Sequence, residues 1–218
     1  MKTKLDAPRL VCGVGINDAD YVVQKKETIG YVNGKIKEKL VWECPYYRVW
    51  CSMLKRCYSI KYQERQPTYK GCSVSKEWLR FSIFKNWMEK QQWEDKQLDK
   101  DILFEGNKVY SPETCVFVSK VVNMFMTDRK AARGEWMIGT SWHKPTGKFR
   151  SKCCNPFTKK QEHLGLFMDE LEAHQAWLKR KLELAYLLAA EQTDERVAKA
   201  LIERYENYNS VDKRINTD

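Results

Sequence analysis

Residues 136–167 read WMIGTSWHKPTGKFRSKCCNPFTKKQEHLGLF, and residues 169–192 read DELEAHQAWLKRKLELAYLLAAEQ. The first stretch holds three short β-rich runs, Trp136 to Trp142, Lys148 to Cys154 and Glu162 to Phe167. Pro145-Thr146-Gly147 turns the first run into the second, and Asn155-Pro156-Phe157 to Lys160 turns the second into the third. The second stretch repeats Leu171, Trp177, Leu178, Leu182, Ala185, Leu188 and Ala189 along one side of a helix. Three antiparallel strands followed by a long amphipathic helix predict an α+β arrangement, a three-stranded sheet packed on that helix. Alternation along the middle strand puts Phe149, Ser151 and Cys153 on one face, and Arg150, Lys152 and Cys154 on the other. By the same alternation, Ser141 and His143 of the first strand join the Arg150 face.

Upstream, the chain divides by pattern. Asn33-Gly34 lies between Thr28 to Val32 and Lys37 to Trp42, a signal for a tight hairpin. Tyr46, Val49, Trp50, Met53, Leu54 and Cys57 form one apolar helical face. Ser75 is placed to cap a second helix carrying Trp78, Phe81, Phe84, Trp87 and Met88. Leu98 to Leu103 and Thr114 to Val118 read as strands, and Val118 to Met126 as a short helix. Downstream, Thr193 or Asp194 restarts a helix with Val197, Leu201, Ile202 and Tyr205. The expected organisation is an extended N-terminal arm over 1–45, a segment over 46–130, the sheet-and-helix domain over 131–190, and a C-terminal helix and tail over 191–218.

The 218 residues carry 39 Lys+Arg against 29 Asp+Glu, a formal charge of +10. Such an excess suits a partner that is a polyanion, because Lys and Arg displace the counterions condensed on nucleic acid. Basic residues recur at Lys55-Arg56, Arg129-Lys130, Arg133, Lys144 to Lys152 and Lys179-Arg180-Lys181, interleaved with Trp136, Trp142 and Phe149. Cations mixed with aromatics are the surface chemistry of nucleic-acid binding. Arg129 to Gly134, with Arg129, Lys130 and Arg133, reads as a linker or a phosphate-contacting loop. No apolar run approaches the ~18–20 residues of a membrane span, and the first residues lack an apolar signal core. No membrane partner and a cytoplasmic location are therefore expected.

Two parts of the chain resemble a known family. YYRVWCSMLKRCY over 46–58, LDKD over 98–101 and YSPETCVFV over 110–118 are similar to phage-encoded HNH-type homing endonucleases. Ile138-Gly139-Thr140, Gly147-Lys148-Phe149 and Leu164-Gly165-Leu166-Phe167 resemble the AP2 DNA-binding domain that often follows them. The resemblance implies a strand–strand–helix finger that holds a divalent metal, Mg²⁺ or Mn²⁺, against the scissile phosphate, with a His as general base. It also implies a sheet that lies in the major groove of double-stranded DNA, and a host-cell cytoplasm as the place of action.

At the position of that His stands Lys100, and at the central Asn position stands Thr114, while Asn123 matches the third position. Asp99, Asp101 and Asn107 are the candidate metal-binding groups and Lys100 and Asn123 the candidate catalytic ones. At i and i+2 of a strand the two carboxylates share a face. The plainer reading makes them a solvated acidic edge, or partners of Lys100 and Lys108, and makes Asn123 a local cap. For the DNA-contacting face the candidates are Ser141, His143, Lys148, Arg150 and Lys152, with the 129–133 loop. The plainer reading there is a basic surface that keeps the chain in solution.

The eight cysteines include no pair two residues apart, so the spacing favours buried thiols over structural Zn²⁺. Three function classes follow. One is a metal-dependent DNA nickase or endonuclease. Another is a DNA-binding phage factor, a regulator or an anti-host-defence protein, on a scaffold that has lost hydrolysis. The third is a protein-binding factor that docks a partner through the helices from Asp169 to Tyr208.

Overall fold

The computed structural model describes residues 10–127 and 135–208. They form an α+β protein of two compact units, Met1–Phe117 and Val118–Asp218. The first unit opens with the hairpin of β1 (Gln24–Val32) and β2 (Lys35–Glu43). It continues through α1 (Pro45–Tyr58), α2 (Ile60–Arg65), β3 (Ser73–Val74), α3 (Phe81–Met88), β4 (Lys96–Asp99) and β5 (Val109–Tyr110) to the start of β6 (Val116–Ser119). β3 pairs with β5 in parallel, and β4 pairs with β6.

Helix α1 organises the core of this unit. Pro45 opens it with a preset φ, and Tyr47, Trp50, Met53, Leu54 and Cys57 bury one stripe. Trp50, Trp78, Phe81 and Phe84 are wholly buried. The Trp50 indole N–H donates to the Trp78 carbonyl at 2.7 Å. Gly15 lies so close to α1 that a Cβ there would stand 2.3 Å from Leu54 Cδ1.

The helix expected from Ser75 onward is broken. A 3-10 turn at Glu77–Leu79 is followed by extended Arg80, and α3 begins at Phe81. The cause is a segment some sixty residues earlier. Ile16 N–H donates to the Leu79 carbonyl at 2.8 Å, and Phe81 N–H donates to Ile16 O at 3.0 Å. Asp18 then caps α3, accepting from Ser82 N at 2.8 Å and from the Ser82 hydroxyl at 2.8 Å. The Ser75 hydroxyl does not serve as the cap, and among the described residues it has no hydrogen-bond partner.

The second unit holds α4 (Lys120–Met126), β7 (Thr140–His143), β8 (Lys148–Cys154), β9 (Gln161–Phe167), α5 (Glu170–Ala190) and α6 (Glu195–Glu206). The strands form one antiparallel sheet in the order β7-β8-β9. Asp169 caps α5 through Leu171 N and Glu172 N, and Asp194 caps α6 through Arg196 N. The N-terminal half of α5 buries Ala173, His174 and Trp177. Its C-terminal half buries Leu184, Ala185, Leu188 and Ala189 beside Val197, Leu201 and Tyr205 of α6. α4 is fixed at Phe125, whose carbonyl accepts from Lys181 Nζ at 3.0 Å and from the Tyr205 hydroxyl at 2.8 Å. The Lys181 ammonium also stands 3.5 Å from the Phe125 ring centroid, a cation–π contact.

Two contacts join sheet to helix. Gly139, at φ +83°, lies under Trp177, and a Cβ there would stand 2.0 Å from Trp177 Cγ. Glu162 of β9 accepts from Arg180 of α5 at 2.7 and 3.1 Å, and from the Asn155 amide at 2.7 Å. The Arg180 guanidinium, with the Asn155 amide, holds the Glu162 carboxyl at about 2, well below its ordinary 4.5.

Gly139→Ala adds both a left-handed-region penalty and an overpacked Cβ, so it costs about 2–4 kcal/mol by urea unfolding. Gly147→Ala, at φ +58° with open space around it, is the control and costs about 1–2 kcal/mol. Because the folded pKa of Glu162 is depressed, its contribution is complete above about 4.5 and is lost as pH falls through about 2. Glu162→Gln lowers stability at neutral pH by up to about 1 kcal/mol and flattens the acid loss between those limits, read by thermal melts across that pH range.

Candidate functional site

The outer face of the β7-β8-β9 sheet collects the expected DNA-contacting residues. In the register, Ser141 stands opposite Arg150 and His143 opposite Lys148. The Arg150 guanidinium donates to Ser141 Oγ at 3.4 Å, which places both on one face. The His143 ring is held at Thr146 Oγ1, 2.8 Å from Nδ1. Lys152 stands opposite His163, and Arg150 opposite Leu166. This face turns away from α5, because Ser151 and Cys153 are buried on the other side and Glu162 reaches α5 through Arg180. Phe149 sits in an aromatic group with Trp142 and Trp136, at centroid distances of 4.9 and 5.3 Å, while Trp177 covers Gly139.

No carboxylate lies among the residues that face outward from these three strands; the one acid in them, Glu162, faces α5. The face therefore presents Lys148, Arg150 and Lys152 beside two imidazoles, one of which, His163, the sequence reading did not place there. Counting back from Phe167 by simple alternation puts His163 on the helix side. A bulge between Ser151 and Lys152 shifts the register and returns it to the outside. Arg129, Lys130 and Arg133 lie outside the described residues.

Asp99, Lys100, Asp101, Asn107 and Thr114 are brought together in the first unit, but in a clasp. β4 stops at Asp99 instead of running on to Leu103. The Asp99 carboxylate accepts from the N–H groups of Asp101 and Ile102 at 2.7 and 2.9 Å, turning the chain and ending the strand. The two carboxylates thus leave the shared strand face expected of them. Lys100 is only 4% exposed. Its ammonium donates to Asp101 Oδ1 and to the Asn107 carbonyl, over the ring of buried Tyr110. The Asn107 amide donates to Lys100 O at 2.8 Å and to Val109 O at 2.7 Å, and its oxygen accepts from Val109 N. Thr114 Oγ1 donates to the same Val109 carbonyl at 2.8 Å. These five residues lace one loop, 99–114, to itself.

The electrostatics agree with that role. Burial, reinforced by the Asp101 carboxylate, raises Asp99 above the usual range despite its two N–H donors and Lys100. Burial pushes the thiols of Cys57 and Cys115 up to about 12, so both are neutral at physiological pH. Among the described residues no three His, Cys, Asp or Glu side chains come together as a metal-binding group. Asn123 lies in α4, in the second unit, where its carbonyl accepts from Thr127 N and Oγ1. No helix among the described residues is long and apolar enough to cross a membrane. No protein-family model, curated protein or solved structure matches the chain.

Of the two partners in this ion pair, Asp101 is the costlier to remove, because Lys100 is the buried one. Asp101→Ala leaves the buried Lys100 ammonium without its counterion and costs about 1.5–3 kcal/mol. Lys100→Met keeps the buried stem and frees an Asp101 carboxylate that water already reaches, its side chain being 48% exposed. It therefore costs less, and chemical denaturation of the two variants establishes the order.

Proposed function

We propose that the protein binds double-stranded DNA through the outer face of β7-β8-β9, and that the 99–114 loop serves as a structural clasp without hydrolytic chemistry. One observation supports the first part above all. The register gathers Lys148, Arg150, Lys152, His143 and His163 on one face, free of carboxylates. Lysines on such a face neutralise phosphates, and that part of the affinity falls steeply with salt. Arg150 and Ser141, side by side at the centre, are the groups suited to a base edge, since a guanidinium donates in a fork and a hydroxyl both donates and accepts.

The second part rests on the partners these groups already hold, Oδ1 of each carboxylate being engaged. The residues do not fit a divalent metal as they stand. Asp99 is turned toward two backbone N–H groups, the Asn107 side-chain oxygen accepts from Val109, and Asp101 faces an ammonium. A Mg²⁺ or Mn²⁺ ion at Asp101 would have to displace Lys100, because two cations cannot share one carboxylate at that distance without strong repulsion. Lys100 Nζ is itself engaged by two acceptors, Asp101 Oδ1 and the Asn107 carbonyl.

The test is duplex binding by fluorescence anisotropy across a salt series, beside nicking of supercoiled plasmid with Mg²⁺ or Mn²⁺. The expected result is salt-sensitive binding without nicking, with Arg150→Ala/Lys152→Ala lowering the salt slope by about 1–2. Absence of binding at low salt overturns the DNA reading. Metal-dependent nicking that Asp101→Ala abolishes overturns the clasp and makes the protein an endonuclease.

A further inference from the structure

The β1-β2 hairpin takes no part in either arrangement above, and it is built as an arm. Asn33 and Gly34 at its tip have φ +51° and +73°, the signs a two-residue type I′ turn requires. Its base is fixed, with Val23 and Cys44 buried, Cys44 N–H donating to Val23 O at 2.9 Å, and the Gln24 amide donating to Glu43 at 2.6 Å. From Lys25 onward nearly every residue of both strands is exposed. A two-stranded ribbon with neither face covered gains little order from its own contacts.

The register divides the ribbon into two unlike faces. On one, Lys26 pairs with Glu38 at 3.5 Å beside Tyr31, Ile36 and Leu40. On the other lie Lys25 over the Trp42 ring, Lys35, Lys37 and Lys39, against the single carboxylate of Glu27. Lys35, Lys37 and Lys39 alternate along β2, so their stems rise from the same face about 6.7 Å apart. A straight row of ammonium groups on a ribbon is complementary to duplex DNA, whose strands carry a phosphate about every 3.4 Å along the axis and whose major groove admits a two-stranded ribbon.

We infer that the β1-β2 ribbon is a second DNA-contacting arm, with the Lys35–Lys37–Lys39 row laid along the phosphates. The inference rests on the protein being a DNA binder but not on the β7-β8-β9 face. It is tested in the full-length chain with Lys35→Ala/Lys37→Ala/Lys39→Ala, with Lys26→Ala as the control on the opposite face. Anisotropy over a salt series is read beside Arg150→Ala/Lys152→Ala. The triple variant is expected to lower the salt slope by about 2–3 at an unchanged melting temperature, and Lys26→Ala to leave it as it is. Hydrogen exchange of amides 25–42 in the unaltered protein is expected to slow when duplex DNA is added. An unchanged slope in the triple variant, with no protection of the ribbon, overturns the arm alone while the sheet variant still responds. A Lys26→Ala effect equal to that of each row lysine reduces the ribbon to diffuse charge and also overturns it. Failure of the unaltered protein to bind duplex overturns the arm and the DNA reading together.

Discussion

A strand that is paired along both edges and covered on one side leaves its charged side chains a single direction. β8 is such a strand: β7 and β9 hold its edges, and α5 covers Ser151 and Cys153. Arg150 and Lys152 then have only the outer face, whatever their partner. Helix α5 is held to that geometry by two contacts of different kinds. Gly139 lets Trp177 approach the backbone more closely than any side chain would permit. Arg180 reaches Glu162, the one acid of the sheet, on the helix side. The acid-free outer face follows from the register, which sets Glu162 opposite buried Cys153.

The clasp of the first unit follows from a different constraint. A lysine buried to 4% exposure must find acceptors for its ammonium, because an unpaired buried charge is more costly than almost any rearrangement around it. Lys100 finds them in Asp101 and the Asn107 carbonyl, and Asn107 returns two bonds to the backbone of Lys100 and Val109.

What could be read from the sequence was local. Asn33-Gly34 marked the hairpin because only a few residues tolerate two successive positive φ values. The 3.6-residue recurrence of Trp50, Met53, Leu54 and Cys57 marked α1, and alternation through Lys148 to Cys154 marked both faces of β8. What could not be read depended on contacts distant along the chain or on single side chains. The helix after Ser75 breaks because Ile16 and Asp18 arrive from far back in the chain to bond Phe81 and Ser82. The strand from Leu98 stops because Asp99 bonds its own following backbone. His163 changes face because of one bulge, which no periodicity count anticipates. At the candidate site the residue types were legible, and the partner each would choose was not.

The excess of positive charge acquires direction by the same route in both sheets. In the ribbon, the register sets Glu38 on the face of Lys26, with which it pairs, and the lysine row on the other face has only Glu27 among it. In β9, the register sets Glu162 on the helix side, where it pairs with Arg180, and leaves Lys148, Arg150 and Lys152 on the outer face. Neither pair need contribute much to stability, since partly exposed ion pairs are worth about 1 kcal/mol at most. Their effect is on the field. In each sheet the register sets the paired carboxylate on the face opposite the basic row and the pairing neutralises it there, and a basic surface with few acids keeps more of its positive potential. A net charge of +10 spread evenly would give weak, undirected attraction. Sorted by strand register, part of it is gathered on two faces.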